Sequence, residues 1–588
     1  MLRPRNTATR DAIQITGLWD FCLDPEDRGV QEKWFTYGLE SPVRMSTGAS
    51  FNDIFADRKI RDYSGAFWYR KRVKLPHFGP KQRLVLYFES VTHAAQVWVD
   101  DVPVCRHSGG YLPFEADITP AVESGGFAWI TVRADNVLSF GTIPPGAVVQ
   151  ERSGPRQSYW HDFFNYAGIH RPVWLCVRPE RCIEDITVVT DFDGADGLVR
   201  YDVRTASGGS VRAKLYDAGG ALAAEGSSGE LRIPQVHPWG GGDGYLYRAE
   251  FALLDGDAVL DVYPMRVGVR TVEVRGEQLL LNGKPVYLKG FGMHEDIAIL
   301  GKGHSDAHML HDFALLEWTG ANSFRTSHYP YSEDVMDYAD ERGILVIDET
   351  PAVGLNLVCG GIFPGADLRT YSPDTINEKT QQAHRRCIED LIARDKNHPC
   401  VIIWSIANEP ESQTDEAVAY FQPLFDAARR ADPTRPVGFA NMALAEHGLC
   451  RVTQFADLIM LNRYYGWYSQ IADLSSAEMV LREELEGWQK EGKPIIMTEY
   501  GADTMNGLHA VEADPWTEEY QVQLLRMYHR VFDSIPAMAG EQVWNFADFA
   551  TSAGAMRVGG NRKGIFTRDR RPKAAAFLLK SRWTQERA

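Results

Sequence analysis

Hydrophobic and polar positions alternate, often with a period of two, through the first 180 residues. WYRKRVKL, RLVLYFESV, AAQVWVDD and FAWITVRADN are short runs rich in β-branched and aromatic side chains, set between Pro/Gly turns. Alternation of this kind sends one row of side chains inward and the other to water, so each run predicts a strand. Several such strands at close spacing predict an antiparallel jelly-roll β-sandwich over residues 1–180. ITVVTDF, LVRYDVR, VRAKLYD, YLYRAEFAL and DVYPMRVGVR carry the pattern on. Their length and Gly-rich turns predict a second, immunoglobulin-like β-sandwich over 181–273.

After Thr271 the rhythm changes. VYLKGFG, ANSFRTSH, ILVIDET, VIIWSIANE, PVGFAN, LIMLNRY, PIIMTEYG and EQVWNF are strand-like runs, several of them continuously apolar. Between them lie helical stretches such as DAHMLHDFALLEWTG, EKTQQAHRRCIEDLIARDKN, DEAVAYFQPLFDAARRAD and SAEMVLREELEGWQKEG. Apolar strands alternating with amphipathic helices imply parallel strands covered on both sides. Eight repeats close a (β/α)8 TIM barrel, which is the expectation for 274–588. A doubly wound open sheet is the alternative, and no Gly-rich dinucleotide turn supports it.

Charge narrows the partners. The formal total is −17, which opposes nucleic acid and anionic membranes as main partners. One stretch runs the other way: RVGGNRKGIFTRDRRPK, 557–573, gathers seven basic residues around Asp569. The eight cysteines form no CxxC pair and no metal-ligand cluster, so neither metal nor cofactor is expected. MLRPRNTATRDAIQI lacks an apolar signal core, and no apolar run approaches the roughly 18 residues of a membrane span. A cytoplasmic location is the expectation.

Barrel enzymes work at the C-terminal ends of their strands. Here those ends are polar: His294-Glu295-Asp296, His328-Tyr329, Asp348-Glu349, Asn408-Glu409, Asn462-Arg463-Tyr464, Glu499-Tyr500 and Trp544-Asn545. Glu409 and Glu499 end the fourth and seventh strands. A single strand-end acid is more often paired with an arginine or solvated on a rim than catalytic. Two acids facing one another across a barrel mouth suit glycoside hydrolysis, retaining at about 5–5.5 Å separation and inverting at about 6.5–9.5 Å. Asn408, beside Glu409, is placed to hydrogen-bond a sugar hydroxyl.

WSIANEP and TEYG, preceded by two β-domains, resemble glycoside hydrolase family 2. NYAGIHR, TSHYPY, ARDKNHP, NRYYGWY, GEQVWNFADF and VGGNRKGIFTRDR narrow the resemblance to the β-glucuronidases of that family, over nearly the whole chain. The resemblance implies a retaining exo-acting enzyme on small-molecule β-glucuronides, with Glu409 as acid/base, Glu499 as nucleophile and no metal or cofactor. It also implies a homotetramer. Asn561 and Lys563 match the Asn-x-Lys motif that reads the C6 carboxylate, where an amide and an ammonium make charge-assisted bonds. Gly559 and Gly560 let that loop come close. Tyr468 matches a phenol donor to the same group, and Arg557 adds positive field. Asp162 matches a residue that the first domain sends to the sugar hydroxyls; His328 matches a sugar contact, Tyr464 a partner of the nucleophile and Trp544 the sugar platform. His294, Glu295 and Asp348 read as support.

Two regions depart from routine. Met293 stands where bacterial members carry arginine. The 354–375 segment is long and Gly/Pro-rich; Leu355, Leu357, Val358, Ile362 and Phe363 in it are candidates for an apolar aglycone surface or a subunit contact. The alternatives are β-galacturonidase or β-galactosidase specificity, a catalytically silent carbohydrate-binding protein, and, for the basic stretch, nucleic-acid binding. Otherwise Arg568, Arg570, Arg571 and Lys573 read as salt bridges to the acidic body.

Overall fold

The computed structural model describes residues 1–152, 154–358 and 368–584. Near the N-terminus a six-stranded and a four-stranded antiparallel sheet pack face to face over Trp19, Phe67, Leu86 and Val132. A three-stranded and a four-stranded sheet spanning Ile183–Val267 enclose a second core that includes Ile186, Leu215 and Phe251.

The third unit is a closed parallel barrel. Its strands are β1 (Leu288–Gly292), β2 (Ser323–Arg325), β3 (Leu345–Glu349), β4 (Val401–Asn408), β5 (Val437–Asn441), β6 (Ile459–Asn462), β7 (Ile495–Glu499) and β8 (Met538–Val543). Every residue of β4 is buried, which explains why its sequence is apolar apart from Ser405 and the terminal Asn408: barrel interior on one side, helices on the other. Closure comes from β8 pairing with β1, Leu288 opposite Gly540 through Phe291 opposite Val543.

Around the barrel lie α1 (Asp306–Thr319), α2 (Glu333–Arg342), α3 (Glu378–Asp395), α4 (Asp415–Ala431), α5 (Leu474–Gln489), α6 (Glu518–Phe532) and α7 (Ala574–Thr584). The amphipathic pattern marks α1, α3, α4 and α5. The helical stretches singled out from the sequence do not include α2, which is short and charged, or α6, although α6 is clearly amphipathic and carries a Thr517 N-cap. No helix among the described residues is long and apolar enough to cross a membrane.

The three units share packing. Tyr111 and Phe163 of the first sandwich and Trp239 of the second belong to the barrel's core cluster. The 160–166 segment reaches the barrel mouth, where Phe164 N–H donates to Ala550 O at 2.9 Å and Tyr166 Oη to Asp296 at 3.2 Å. Arg171 adds bonds to Pro330 O at 2.7 Å and Glu295 at 3.0 Å. Glu295 is therefore an anchor between domains.

The basic stretch is consumed by acids of the body. Arg568 pairs with Asp53 and Asp296, Arg570 with Asp312, and Lys573 with Asp548. Among the described residues Arg571 pairs only with its neighbour Asp569.

Candidate active site

Six of the eight strands contribute at their C-terminal ends or just beyond: β2 gives Arg325 and His328, β3 Glu349, β4 Asn408 and Glu409, β6 Asn462 and Tyr464, β7 Glu499, and β8 Trp544. All are buried except Glu409 and Tyr464, which are partly buried. Glu409 has φ = 48°, in the left-handed region that a side-chain-bearing residue seldom occupies. Its N–H is held by Ala440 O at 2.8 Å. Held strain of this sort concentrates at functional sites.

One hydrogen-bonded chain joins the two glutamates. Asn462 Nδ2 donates to Glu409 Oε1 and to Asn408 Oδ1, each at 3.1 Å. Arg325 Nη1 donates to the same Asn408 oxygen at 3.2 Å and to Glu349 at 2.7 Å. Its Nη2 binds Glu499 Oε1. Tyr464 Oη donates to Glu499 Oε2 at 2.5 Å. Both carbonyl-side acceptor positions of Asn408 are thus taken, which leaves its amide nitrogen as the group able to donate to a ligand.

The environments of the two acids differ. Burial pushes the Glu409 carboxyl up, and the Glu499 charge pushes it further, to about 7, against the opposing hydrogen bond from Asn462. Burial also raises Glu499, and its net shift is upward, but the Arg325 guanidinium and the Tyr464 hydroxyl oppose that rise and favour its carboxylate. One acid is poised to hold a proton and the other to be charged, the division that acid-plus-nucleophile chemistry requires.

His328 lies against this pair. Its Nδ1 is 3.0 Å from Glu349 Oε1 and its Nε2 3.9 Å from Glu499 Oε1. Burial, then Arg325, holds its pKa well below the usual value, so the ring is neutral. It stacks on Trp544 at 4.9 Å. Trp544 also meets His294 and Phe549 edge to face. Gly292 is required here, because a Cβ would lie 2.6 Å from the Trp544 ring.

The polar groups beyond β8 form a second cluster. Lys563 Nζ binds Asp503 and donates to Tyr468 Oη at 2.8 Å. Arg557 Nη2 donates to that phenol at 2.9 Å and clasps Asp162 through Nε at 2.8–2.9 Å. Asn561 Nδ2 donates to Asp162 at 3.0 Å. Because Tyr468 accepts from both cations, its own proton remains to donate. Gly560, at φ = 114°, lets the loop pass Phe549 O, which a Cβ would approach to 2.3 Å. Burial opposes ionisation of Asp503, but Lys563 and Arg557 outweigh it and hold the acid below its usual range.

All eleven residues singled out from the sequence lie in these two clusters. Of their partners, Glu349 and Asn462 stand out in the sequence only as polar strand ends with no assigned role, and Arg325 and Asp503 do not stand out at all. Asp348 is fully buried and accepts from Thr326 at 2.9 Å, in keeping with a supporting role. Met293 is buried in the barrel core.

The apolar surface expected from 354–375 needs correction. Leu355 and Leu357 are fully buried, not offered to a ligand. Gly354, at φ = 82°, brings the chain against the Trp160 backbone, and Leu355 O accepts from Glu411 N–H. Val358 is exposed, and Ile362 and Phe363 lie outside the described residues. Exposed apolar side chains in the loops after other barrel strands include Leu444, Ile471 and Met556, after β5, β6 and β8.

Comparison with known proteins places this geometry. Residues 272–587 match the family model "Glycosyl hydrolases family 2, TIM barrel domain", 13–179 the corresponding sugar binding domain, and 182–270 "Glycosyl hydrolases family 2". A beta-glucuronidase of Paenibacillus borealis is 46% identical over 594 residues, covering 99% of this chain and 98% of the relative. The crystal structure of a Ruminococcus gnavus beta-glucuronidase superposes with a TM-score of 0.95 at 42% identity, covering 99% of each chain. The R. gnavus enzyme in complex with D-glucuronic acid superposes at 0.93 with 41% identity and the same coverage.

Proposed function

The chain belongs to glycosyl hydrolase family 2, and we propose that it is a retaining exo-β-D-glucuronidase, releasing glucuronic acid from β-glucuronide conjugates. The observation that carries this reading is the adjacency of two unlike glutamates to a Lys563–Arg557–Asn561–Tyr468 cluster suited to a sugar carboxylate: Tyr464, which binds Glu499, has its ring 5.1 Å from that of Tyr468 and 5.5 Å from Lys563 Nζ.

In this mechanism Glu499, oriented by Arg325 and Tyr464, attacks the anomeric carbon while Glu409 protonates the departing oxygen. The aglycone leaves as an alcohol or phenol, and a glycosyl ester forms on Glu499. That ester carries no charge, so one of the two causes that raise the Glu409 pKa is gone, and Glu409 is held more readily as the carboxylate that can act as a base. It then takes a proton from the incoming water, which displaces Glu499 and completes the hydrolysis with retention. Asn408 donates to the hydroxyl beside the anomeric carbon, His328 contacts the ring, and Trp544 forms its platform. Asn561, Lys563 and Tyr468 hold the C6 carboxylate, with Arg557 raising the local potential and Asp162 receiving a sugar hydroxyl. Val358, Leu444, Ile471 and Met556 give the leaving group an apolar surround.

An assay with matched aryl glucuronide, galacturonide, glucoside and galactoside tests reaction and sugar together. Glucuronide is expected to be hydrolysed fastest; equal rates on glucuronide and glucoside overturn the carboxylate reading, and a faster galacturonide overturns the sugar. The Asp162 wall bears on C4, where those two uronides differ.

The pH profile follows from the acid that must stay protonated. kcat/KM is expected to fall on the alkaline side with an apparent pKa near 7, set by Glu409. Its acid limb belongs to Glu499, which must lose its proton to attack. Glu409→Gln should remove the alkaline limb with an activated nitrophenyl leaving group; a limb that persists assigns it to another residue.

Pairing of the basic stretch with acids of the same chain supports a protein that does not bind nucleic acid. Family membership supports a homotetramer, which sedimentation equilibrium measures.

A further inference from the structure

Between the second sandwich and the N-terminal face of the barrel lies a cavity of about 230 Å³. It sits at the end of the barrel opposite Glu409 and Glu499, where residues 396–399 lead into β4 and 434–435 into β5. Three cations line it, Arg270 from the sandwich side and Lys396 and Arg435 from the barrel, against one lining acid, Asp191.

Among the described residues, carboxylates nearby pair with two of the three and leave Arg270 without one. Asp185 takes Lys396 at 2.6 Å, Asp432 takes Arg435 at 2.6 Å, and Asp191 lies 3.6 Å from Arg200. Arg270 has no carboxylate within 4 Å among the described residues, although it is only 6% exposed. It donates through Nε to Pro399 O at 3.1 Å and through Nη2 to Val401 O at 2.9 Å. Arg435 Nε donates to that same Val401 oxygen at 2.7 Å, so two guanidiniums stand side by side. No bond to protein is made by Arg270 Nη1 among the described residues.

A buried guanidinium with no carboxylate partner of its own, set beside the Arg435–Asp432 pair, is costly unless an anion compensates it. We propose that this cavity binds a tetrahedral oxyanion, inorganic phosphate or a phosphomonoester, that links Arg270 of the second sandwich to Lys396 and Arg435 of the barrel. Burial and the neighbouring Arg435 push the Arg270 pKa down to about 9, the direction expected of a cation lacking its counter-ion. Multiple charge-assisted bonds from arginine and lysine are the usual means of holding phosphate. Because the ligand touches two domains, it acts on their cohesion, not on the distant glutamates.

The test is thermal unfolding of the full chain titrated with sodium phosphate, methyl phosphate or sodium acetate, each against sodium chloride at equal ionic strength. Phosphate is expected to raise the apparent midpoint by about 3 °C or more beyond chloride. A methyl phosphate response equal to that of phosphate identifies a phosphomonoester-compatible site, and a response to phosphate alone identifies free phosphate as the ligand. In parallel, the 31P line of inorganic phosphate should broaden when protein is added. Arg270→Gln and Lys396→Gln should each lose more than half of both effects, and where Arg270→Gln does not fold, Lys396→Gln decides. Lys563→Ala should keep them, which separates this cavity from anion binding at the carboxylate cluster. Equal shifts with phosphate and chloride, a larger shift with acetate, an unbroadened 31P line, effects retained in Lys396→Gln, or effects lost in Lys563→Ala each overturn the proposal.

Discussion

Glu499→Gln is expected to lower kcat on an aryl β-glucuronide by about 10⁴-fold or more, as loss of a covalent nucleophile does elsewhere. The fold should survive the change. Glu499 receives Arg325 on one oxygen and Tyr464 on the other. A glutamine can turn its single oxygen to Arg325 and its amide to Tyr464 Oη, since a phenol also accepts. Arg325 keeps Glu349 as its counter-ion at 2.7 Å. A second readout follows from electrostatics. Removing the Glu499 charge removes one of the two causes that raise Glu409, so the Glu409 pKa should drop below about 7 while burial still holds it above the ordinary carboxylate range. The carboxyl stretch of Glu409, followed by infrared titration, measures this. Turnover within tenfold of the parent, at unchanged thermal midpoint, would sink the nucleophile assignment.

The contrast between Glu499 and Arg325 explains what the sequence discloses. Glu499 ends PIIMTE, an apolar run that demands a strand, and a charge at such an end invites attention by itself. Arg325 sits within ANSFRTSH, where nothing local separates it from an exposed strand residue. Its meaning appears only when β2, β3, β4 and β7 close into one barrel and place Glu349, Asn408 and Glu499 around one guanidinium. Asp503 is similar: its role as counter-ion to Lys563 depends on loops after β7 and β8 meeting. Periodicity is a one-dimensional signal, so it carries the barrel strands and the two sandwiches well. Pairwise charge compensation is a property of the closed fold. The 354–358 segment fails for the opposite reason. Apolar residues in a Gly-rich loop look available to a ligand, yet Gly354 allows a close approach to Trp160 that buries Leu355.

Lys563→Ala is the sharper test of specificity, because two effects act in the same direction. The ammonium's bond to the substrate carboxylate is lost, and Asp503, which now has Lys563 as its nearest cation, is left facing an anionic sugar. Arg557 Nη1 remains 3.6 Å from Asp503 and compensates only in part. A charged hydrogen bond lost from a buried site, together with the charge left behind, corresponds to about 10²–10³-fold in kcat/KM for the glucuronide. The glucoside, with no carboxylate to bind or repel, should change by less than about tenfold. The double variant Lys563→Ala/Asp503→Asn separates the two contributions. It removes the stranded carboxylate but does not restore the ammonium, so glucuronide hydrolysis should recover partly and stay below the parent. Full recovery would mean that repulsion by Asp503 explains the whole loss and that Lys563 serves to neutralise Asp503. Equal losses on glucuronide and glucoside in the single variant would mean that Lys563 holds the loop and reads nothing. Only the graded result, a selective loss with partial recovery, fits an ammonium shared between a buried aspartate and the uronic acid it recognises.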